Sequence, residues 1–192
     1  MFPAFPCPLP NRPCSTTIPN PNARKPNTHS YVSPRHRAQR TLELLDLGCH
    51  ERYPWQPASS STPSADACRT SASTTVTPLI SEWDYGEYEG LTSPQVRQLR
   101  SERGLNANWD IWRDGCEGGE SPDDVEARLD EIIKDIREKW HKDNFGKWAC
   151  KKDVLVVAHG HVLRAFAARW VGKSVVDNPS LILEAGGVGT LR

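Results

Sequence analysis

No Asp or Glu occurs between Met1 and Thr41; the only formal charges there are Arg12, Arg24, Lys25, Arg35, Arg37 and Arg40, and Glu43 is the first acid. The whole chain is nevertheless balanced, with 24 Lys+Arg against 24 Asp+Glu. That balance removes the bulk field that would steer it to nucleic acid or to a membrane surface. Long apolar runs are lacking too, and nothing approaches the roughly 20 residues that a membrane helix requires. A secretory leader is not expected, because MFPAFPCPLP has no basic start and prolines break its apolar stretch. Further prolines as far as Pro26 rule out the amphipathic helix of an import signal. The six cysteines form no CxxC pair and no even framework. Reduced thiols and a cytoplasmic location follow, and no Cys/His spacing suits zinc.

What is present divides unevenly. At 192 residues the chain fits one domain with a sizeable core. Residues 1–30, rich in Pro and Asn, are expected to form a disordered head. Residues 31–192 are expected to form the domain, interrupted by a flexible Ser/Thr-rich insertion at about 57–77. Three helices are predicted from one device, a Ser-Pro pair that offers a capping hydroxyl and then a proline at the first helical position. The pairs are Ser33-Pro34, Ser93-Pro94 and Ser121-Pro122. The third helix has the clearest period, with Val125, Leu129, Ile132, Ile136 and Trp140 at steps of three and four. Asp123 and Asp124 in its first turn suit the helix dipole. After Asp153, the run VLVVA reads as a strand covered on both faces, and the pattern turns helical from Val162 to Gly172. Helix, buried strand and helix in succession predict an α/β sandwich with parallel strands.

His159-Gly160-His161 lies where that strand meets the next helix. Open α/β sheets bind ligands at this junction, and backbone N–H groups and the positive helix end favour anions. Gly160 permits close backbone approach, and Arg164 sits one turn further on. The structural alternative is a satisfied core His159 and a surface His161. A second stretch, Ser81 to Gly90, alternates acids and aromatics between turn glycines. It reads either as an exposed loop or as a carboxyl group held among aromatic walls for proton transfer. A third, SPRHRAQRT at 33–41, places basic residues where a helix begins, either to grip phosphate or simply to be solvated.

Together, SPRHRAQRT, EWDYGEYEG at 82–90, GGES at 118–121 and VVAHGHVLRAFAARW at 156–170 resemble the histidine phosphatase superfamily. The likeness is strongest to fungal sedoheptulose-1,7-bisphosphatase-type proteins. It implies a three-layer α/β/α sandwich of the phosphoglycerate mutase-like kind and a metal-independent, cofactor-free phosphatase of a phosphorylated sugar in pentose phosphate metabolism. By the same likeness His159 contacts the transferring phosphoryl group, and Glu82 protonates the leaving alcohol and then activates water. Arg37 binds phosphate and His161 faces the sugar; Gly160 and Arg164 are added as phosphate-binding from their place at the helix start. A phosphosugar- or phosphopeptide-binding module and a phosphoglycerate mutase are the alternatives. A His159–His161 metal clip is disfavoured, since no carboxylates stand near in sequence.

The family's nucleophile is the histidine of an Arg-His-Gly motif on the first strand, and no Arg-His-Gly occurs in this chain. Arg35-His36 is followed by Arg37 and lies inside the SPxxRA segment. The first strand and the last strands of the fold are therefore expected to be missing, as in a truncated or mis-spliced gene product. Little or no turnover is expected from such a chain. The sequence leaves the oligomeric state open.

Overall fold

The computed structural model describes residues 27–47, 52–58, 72–142, 153–177 and 181–192. Three strands, β1 (Asn27–Val32), β2 (Ser73–Val76) and β3 (Asp153–Val157), form a wholly parallel sheet in the order β2-β1-β3. The helices are α1 (His36–Leu44), α2 (Ser93–Glu102), α3 (Ile111–Asp114), α4 (Pro122–Ile136) and α5 (Gly160–Trp170).

Strand alternation divides the core in two. Tyr31, Val154 and Val156 face a large cluster that includes Val125, Leu129, Ile132 and Ile136 of α4 and Val162 and Phe166 of α5. Val32, Leu155 and Val157 face the opposite way, onto Ala38 and Leu42 of α1. The sheet is thus the middle layer of an α/β/α sandwich. Each fully buried aliphatic contributes about 1.5–3 kcal/mol, so the five α4 residues that are nearly inaccessible anchor this layer firmly.

α4 begins as its sequence predicts. Ser121 Oγ accepts from the Asp124 N–H at 3.2 Å, and the Asp124 carboxylate accepts from the Ser121 N–H at 2.9 Å. The Ser121 hydroxyl, donating to the Asp124 carboxylate at 2.6 Å, and then the Ser121 N–H hold that carboxyl below its usual range. The other two Ser-Pro pairs behave differently. In α2 the cap is Thr92, whose N–H and hydroxyl both donate to Gln95 Oε1 at 2.8 Å, so Ser93 is already inside the helix. In α1 the cap residue is Arg35 and no side chain caps it. Ser33 is fully buried, and its N–H continues the sheet by donating to the Val157 carbonyl at 3.0 Å. Its hydroxyl is used elsewhere, as described below.

Two boundaries also move. β1 starts at Asn27, inside the segment whose composition suggests a disordered head; residues 1–26 lie outside the described residues. The Ser/Thr-rich stretch ends in β2 rather than in a loop, pairing Ser73 to Val76 with His29 to Val32. Thr and Val are β-branched and pack well on a pleated surface, which is why a sequence that looks like a linker joins the sheet. Residues 59–71 of that stretch are outside the described set. Beyond α4, residues Arg137–His141 form a π-helical turn that brings Trp140 against β1. Its Nε1 donates to the Tyr31 hydroxyl at 3.0 Å, and that hydroxyl donates to Asp135 at 2.6 Å.

Candidate active site

β1 and β3 end side by side, and the chain turns at Ser33 on one and at His159 on the other. His159 is buried at 7% exposure and is the N-cap residue of α5, so its backbone is extended and its ring lies over the strand ends. Arg37, in the first turn of α1, donates from Nε to His159 Nδ1 at 3.0 Å. A guanidinium N–H can only donate, so Nδ1 must be the acceptor nitrogen. Nε2 therefore carries the proton and donates to Ser33 Oγ at 2.8 Å. Burial first, and then the Arg37 charge, lower the His159 pKa, with Glu82 pulling the other way. The ring is neutral and both its nitrogens are engaged.

Glu82 stands in the loop that follows the short helix Pro78–Ile80. Its Oε1 accepts from the Trp83 N–H at 3.0 Å and from the Val162 N–H at 3.1 Å; a longer contact of 3.4 Å joins Oε2 to the His161 N–H. The α5 amides, expected from the sequence to face a phosphate, thus hold a carboxylate of the chain itself. The exchange is chemically natural, because two orphan donors at a helix start favour any anion within reach. Gly160 has open space around its Cα, which leaves the approach to the helix start clear.

Four residues to which the sequence analysis gave no role of their own, Arg128, Glu120, Gly119 and Tyr85, build this loop. Arg128 of α4 forms a two-pronged pair with Glu120, Nε to Oε1 at 2.7 Å and Nη2 to Oε2 at 2.9 Å. Its Nη1 also donates to the carbonyls of Leu79 and Ser81 at 2.8 and 3.0 Å, immediately before Glu82. Glu120 in turn accepts from the Asp84 N–H, and its carbonyl accepts from Trp83 Nε1 at 3.0 Å. Gly119 lies so close beneath the loop that a Cβ there would run into the Asp84 carbonyl oxygen. The Gly-Gly-Glu-Ser segment is therefore a mould for the Glu82 loop. Tyr85, the last of these, has its hydroxyl 2.8 Å from His161 Nδ1.

His161 is half-buried among Tyr85 and Trp112, with ring centroids 5.8 and 5.5 Å away. Burial is the largest cause lowering its pKa; Glu82 and Asp110 raise it and Arg164 lowers it. Burial, then the Glu82 charge, raise the Tyr85 pKa, so the phenol keeps its proton. The Arg164 guanidinium lies 4.6 Å over the Trp112 ring, and its Nε donates to the Leu181 carbonyl at 2.6 Å. Cys116, buried beside this group, has its thiol pushed up to about 12 by burial and is not a thiolate at neutral pH. Among the described residues no helix is long and apolar enough to cross a membrane, and no three His, Cys, Asp or Glu converge as a metal site would require.

The arrangement joins Arg37, His159, Glu82 and His161 at one end of the sheet, as the sequence predicts, with Ser33 and Tyr85 as unforeseen partners. Residues 61–192, more than half the chain, match the family described as Histidine phosphatase superfamily (branch 1). Sedoheptulose 1,7-bisphosphatase of Saccharomyces cerevisiae is 32% identical over 198 residues, spanning 85% of this chain and 67% of the yeast protein. Acid phosphatase of Mycobacterium tuberculosis is 36% identical over 114 residues, spanning 59% of this chain and 49% of that protein. A solved open reading frame product of Mycobacterium tuberculosis aligns with a TM-score of 0.53 at 31% identity, covering 81% of this chain and 60% of that one. Alpha-ribazole phosphatase of Shigella flexneri shares the fold at a TM-score of 0.54 and 20% identity, covering 83% of this chain and 64% of its own. The chain thus spans about half to two thirds of the proteins it matches.

Proposed function

From its membership of the histidine phosphatase superfamily, to which this chain belongs, we propose a site for a phosphorylated sugar of the sedoheptulose-1,7-bisphosphate kind. The observation that carries the reading is the position of His159, pinned between Arg37 and Ser33 with Glu82 at the start of the adjoining helix. A phosphoryl oxygen that takes the His159 Nε2–H has only Ser33 to replace, and Arg37 stands behind the same ring with a fixed positive charge. Glu82 is the proton carrier for the leaving alcohol, and His161 faces the sugar. Gly160 gives the ligand its approach, and Arg164 shapes the far wall through Trp112. The setting proposed is cytoplasmic pentose phosphate metabolism.

Turnover through a phosphohistidine needs a phosphoryl acceptor beyond these groups. His159 offers no free lone pair, and the 192 residues hold no Arg-His-Gly. Removing a covalent nucleophile takes away most of an enzyme's rate, so the reading is tight binding with slow release. The second reading, a non-catalytic phosphosugar-binding module, is favoured by the same saturation of His159. The test is to incubate the purified chain with sedoheptulose-1,7-bisphosphate and follow both binding and inorganic phosphate. Binding with little release supports the proposal. Rapid release abolished by His159→Ala would overturn the slow-turnover part, and absence of any binding would overturn the site itself.

A further inference from the structure

Among the described residues one buried side-chain polar atom has no hydrogen-bond partner, His29 Nε2. A buried polar group left unmet is rare enough to need a reason. His29 is 5% exposed on β1, and its ring is boxed in. Trp140 stacks on it with centroids 4.6 Å apart and planes 19° apart, and Tyr31 meets it edge-on at 4.5 Å. Its Nδ1 lies 2.8 Å from Ser73 Oγ on β2, and Val154 of β3 stands opposite in register. A hydroxyl both donates and accepts, so Ser73 answers Nδ1 in either neutral tautomer. A second proton removes that freedom: both nitrogens then donate, and Nε2 becomes a charged donor with no acceptor. The charges facing the ring are Asp135 of α4 and Lys139 of the π-helical turn. Asp135 draws a proton toward His29, but it is already bonded by Lys139 and by the Tyr31 hydroxyl, each at 2.6 Å. The Trp140 face favours an imidazolium too, yet a ring face gives Nε2–H nothing to bond. Burial outweighs the Asp135 pull and lowers the His29 pKa.

The π-helical turn Arg137–His141 joins two elements. Toward β1 it presents Trp140, whose Nε1 donates to the Tyr31 hydroxyl at 3.0 Å. Toward α5 it presents Arg137, whose Nη2 donates to the Trp170 carbonyl at 2.7 Å and whose guanidinium lies 4.9 Å over the Trp170 ring. His141 meets the same ring edge-on at 5.8 Å. Trp170 is the last residue of α5, the helix that His159 caps. We propose that His29 is an acid-sensitive latch: a proton on Nε2 finds no acceptor while Trp140 covers the ring, so its uptake releases the Arg137–His141 turn from β1 and loosens the turn's hold on the end of α5. In the open arrangement Nε2–H reaches water, which accepts its bond and solvates its charge. The sign follows from the site. The closed turn is favoured while His29 is neutral, and that preference is lost as pH falls below the ordinary histidine value. The latch lies at the start of β1, apart from the residues gathered around His159, and stands whatever ligand they take.

The experiment is hydrogen–deuterium exchange of the full chain without ligand, read by residue and corrected for the chemical exchange rate at each pH. Between pH 7.5 and 5.5 the protection of the Arg137–His141 amides should fall by up to about tenfold, the limit for one histidine that titrates normally once the turn is open. The amides of residues 125–132, in the middle of α4, should lose less. His29→Phe keeps an aromatic ring against Trp140 without a titrating nitrogen, and should abolish the pH dependence of the turn. His141→Gln alters the turn but leaves His29 in place, and should retain it. A second measurement needs no variant: in NMR spectra of the unmodified chain the His29 ring should titrate below 6.5, over the range in which the turn loses protection. Loss of protection that survives His29→Phe, an equal loss throughout α4, or a His29 ring that titrates at or above 6.5 would overturn the latch.

Discussion

His159 and His161 flank a single glycine, yet they sit in opposite kinds of surroundings. The His159 side is closed: a buried neutral ring is held by a fixed donor and a buried hydroxyl, all at the ends of two paired strands. The His161 side is open: a half-buried ring on the first turn of α5 touches a loop whose shape is imposed from outside by Arg128, Glu120 and Gly119. The difference teaches that one strand-to-helix junction can engage both nitrogens of one ring and, among the described residues, only Nδ1 of the next.

Removing the loop's support should break the comparison most severely. Arg128→Ala leaves Glu120 and two carbonyls without their donor in a half-buried place, and losing one partner of such a pair costs about 3 kcal/mol. Urea denaturation should show that loss, and the Glu82 contacts with α5 should weaken while the His159–Arg37 bond persists. On the closed side, Ser33→Ala strands the His159 Nε2–H and should cost about 1–2 kcal/mol. The same variant should bind a phosphorylated ligand no more weakly than the unmodified chain does, since the ligand no longer has to displace the hydroxyl. Weaker binding would show that Ser33 contacts the ligand instead.

The gentlest probe is pH. His29, His159 and His161 all have pKa values lowered below the ordinary 6.5, burial being the largest cause for each. As pH falls through 6.5 the unfolded chain takes up protons that the folded chain still refuses, so stability is full above that value and declines below it. The decline continues until the lowered folded values are reached. Denaturation at pH 7.5 and 5.5 should show this slope, and His159→Gln and His161→Gln should each remove a share of it. A stability that rises on acidification would contradict the burial of these rings.

Much of this was legible in the residues. The α4 period and the β3–α5 junction follow from patterns that local physics controls, whereas the grouping of Arg37, Glu82, His159 and His161 was expected only from the resemblance of their motifs to the family. What escaped was the matching of polar partners across long stretches of chain. Ser33 looks like a helix cap, and only the arrival of β3 beside β1 shows that its hydroxyl belongs to His159. The α5 amides look open to phosphate, and nothing near them in sequence tells that Glu82, 80 residues away, already lies on Val162. The stacking of Arg164 on Trp112 of α3 likewise joins residues 52 positions apart. β2 hid inside a Ser/Thr-rich run because its strand character depends on pairing with β1.

The most direct measurement is calorimetric titration of the full chain with sedoheptulose-1,7-bisphosphate and, separately, with the unphosphorylated sugar, repeated for Arg37→Ala. Binding of the bisphosphate alone, weakened at least tenfold by Arg37→Ala through loss of about 1.4 kcal/mol, is what the account predicts. Equal affinity for the two sugars, or binding of the bisphosphate that is indifferent to Arg37, would contradict it.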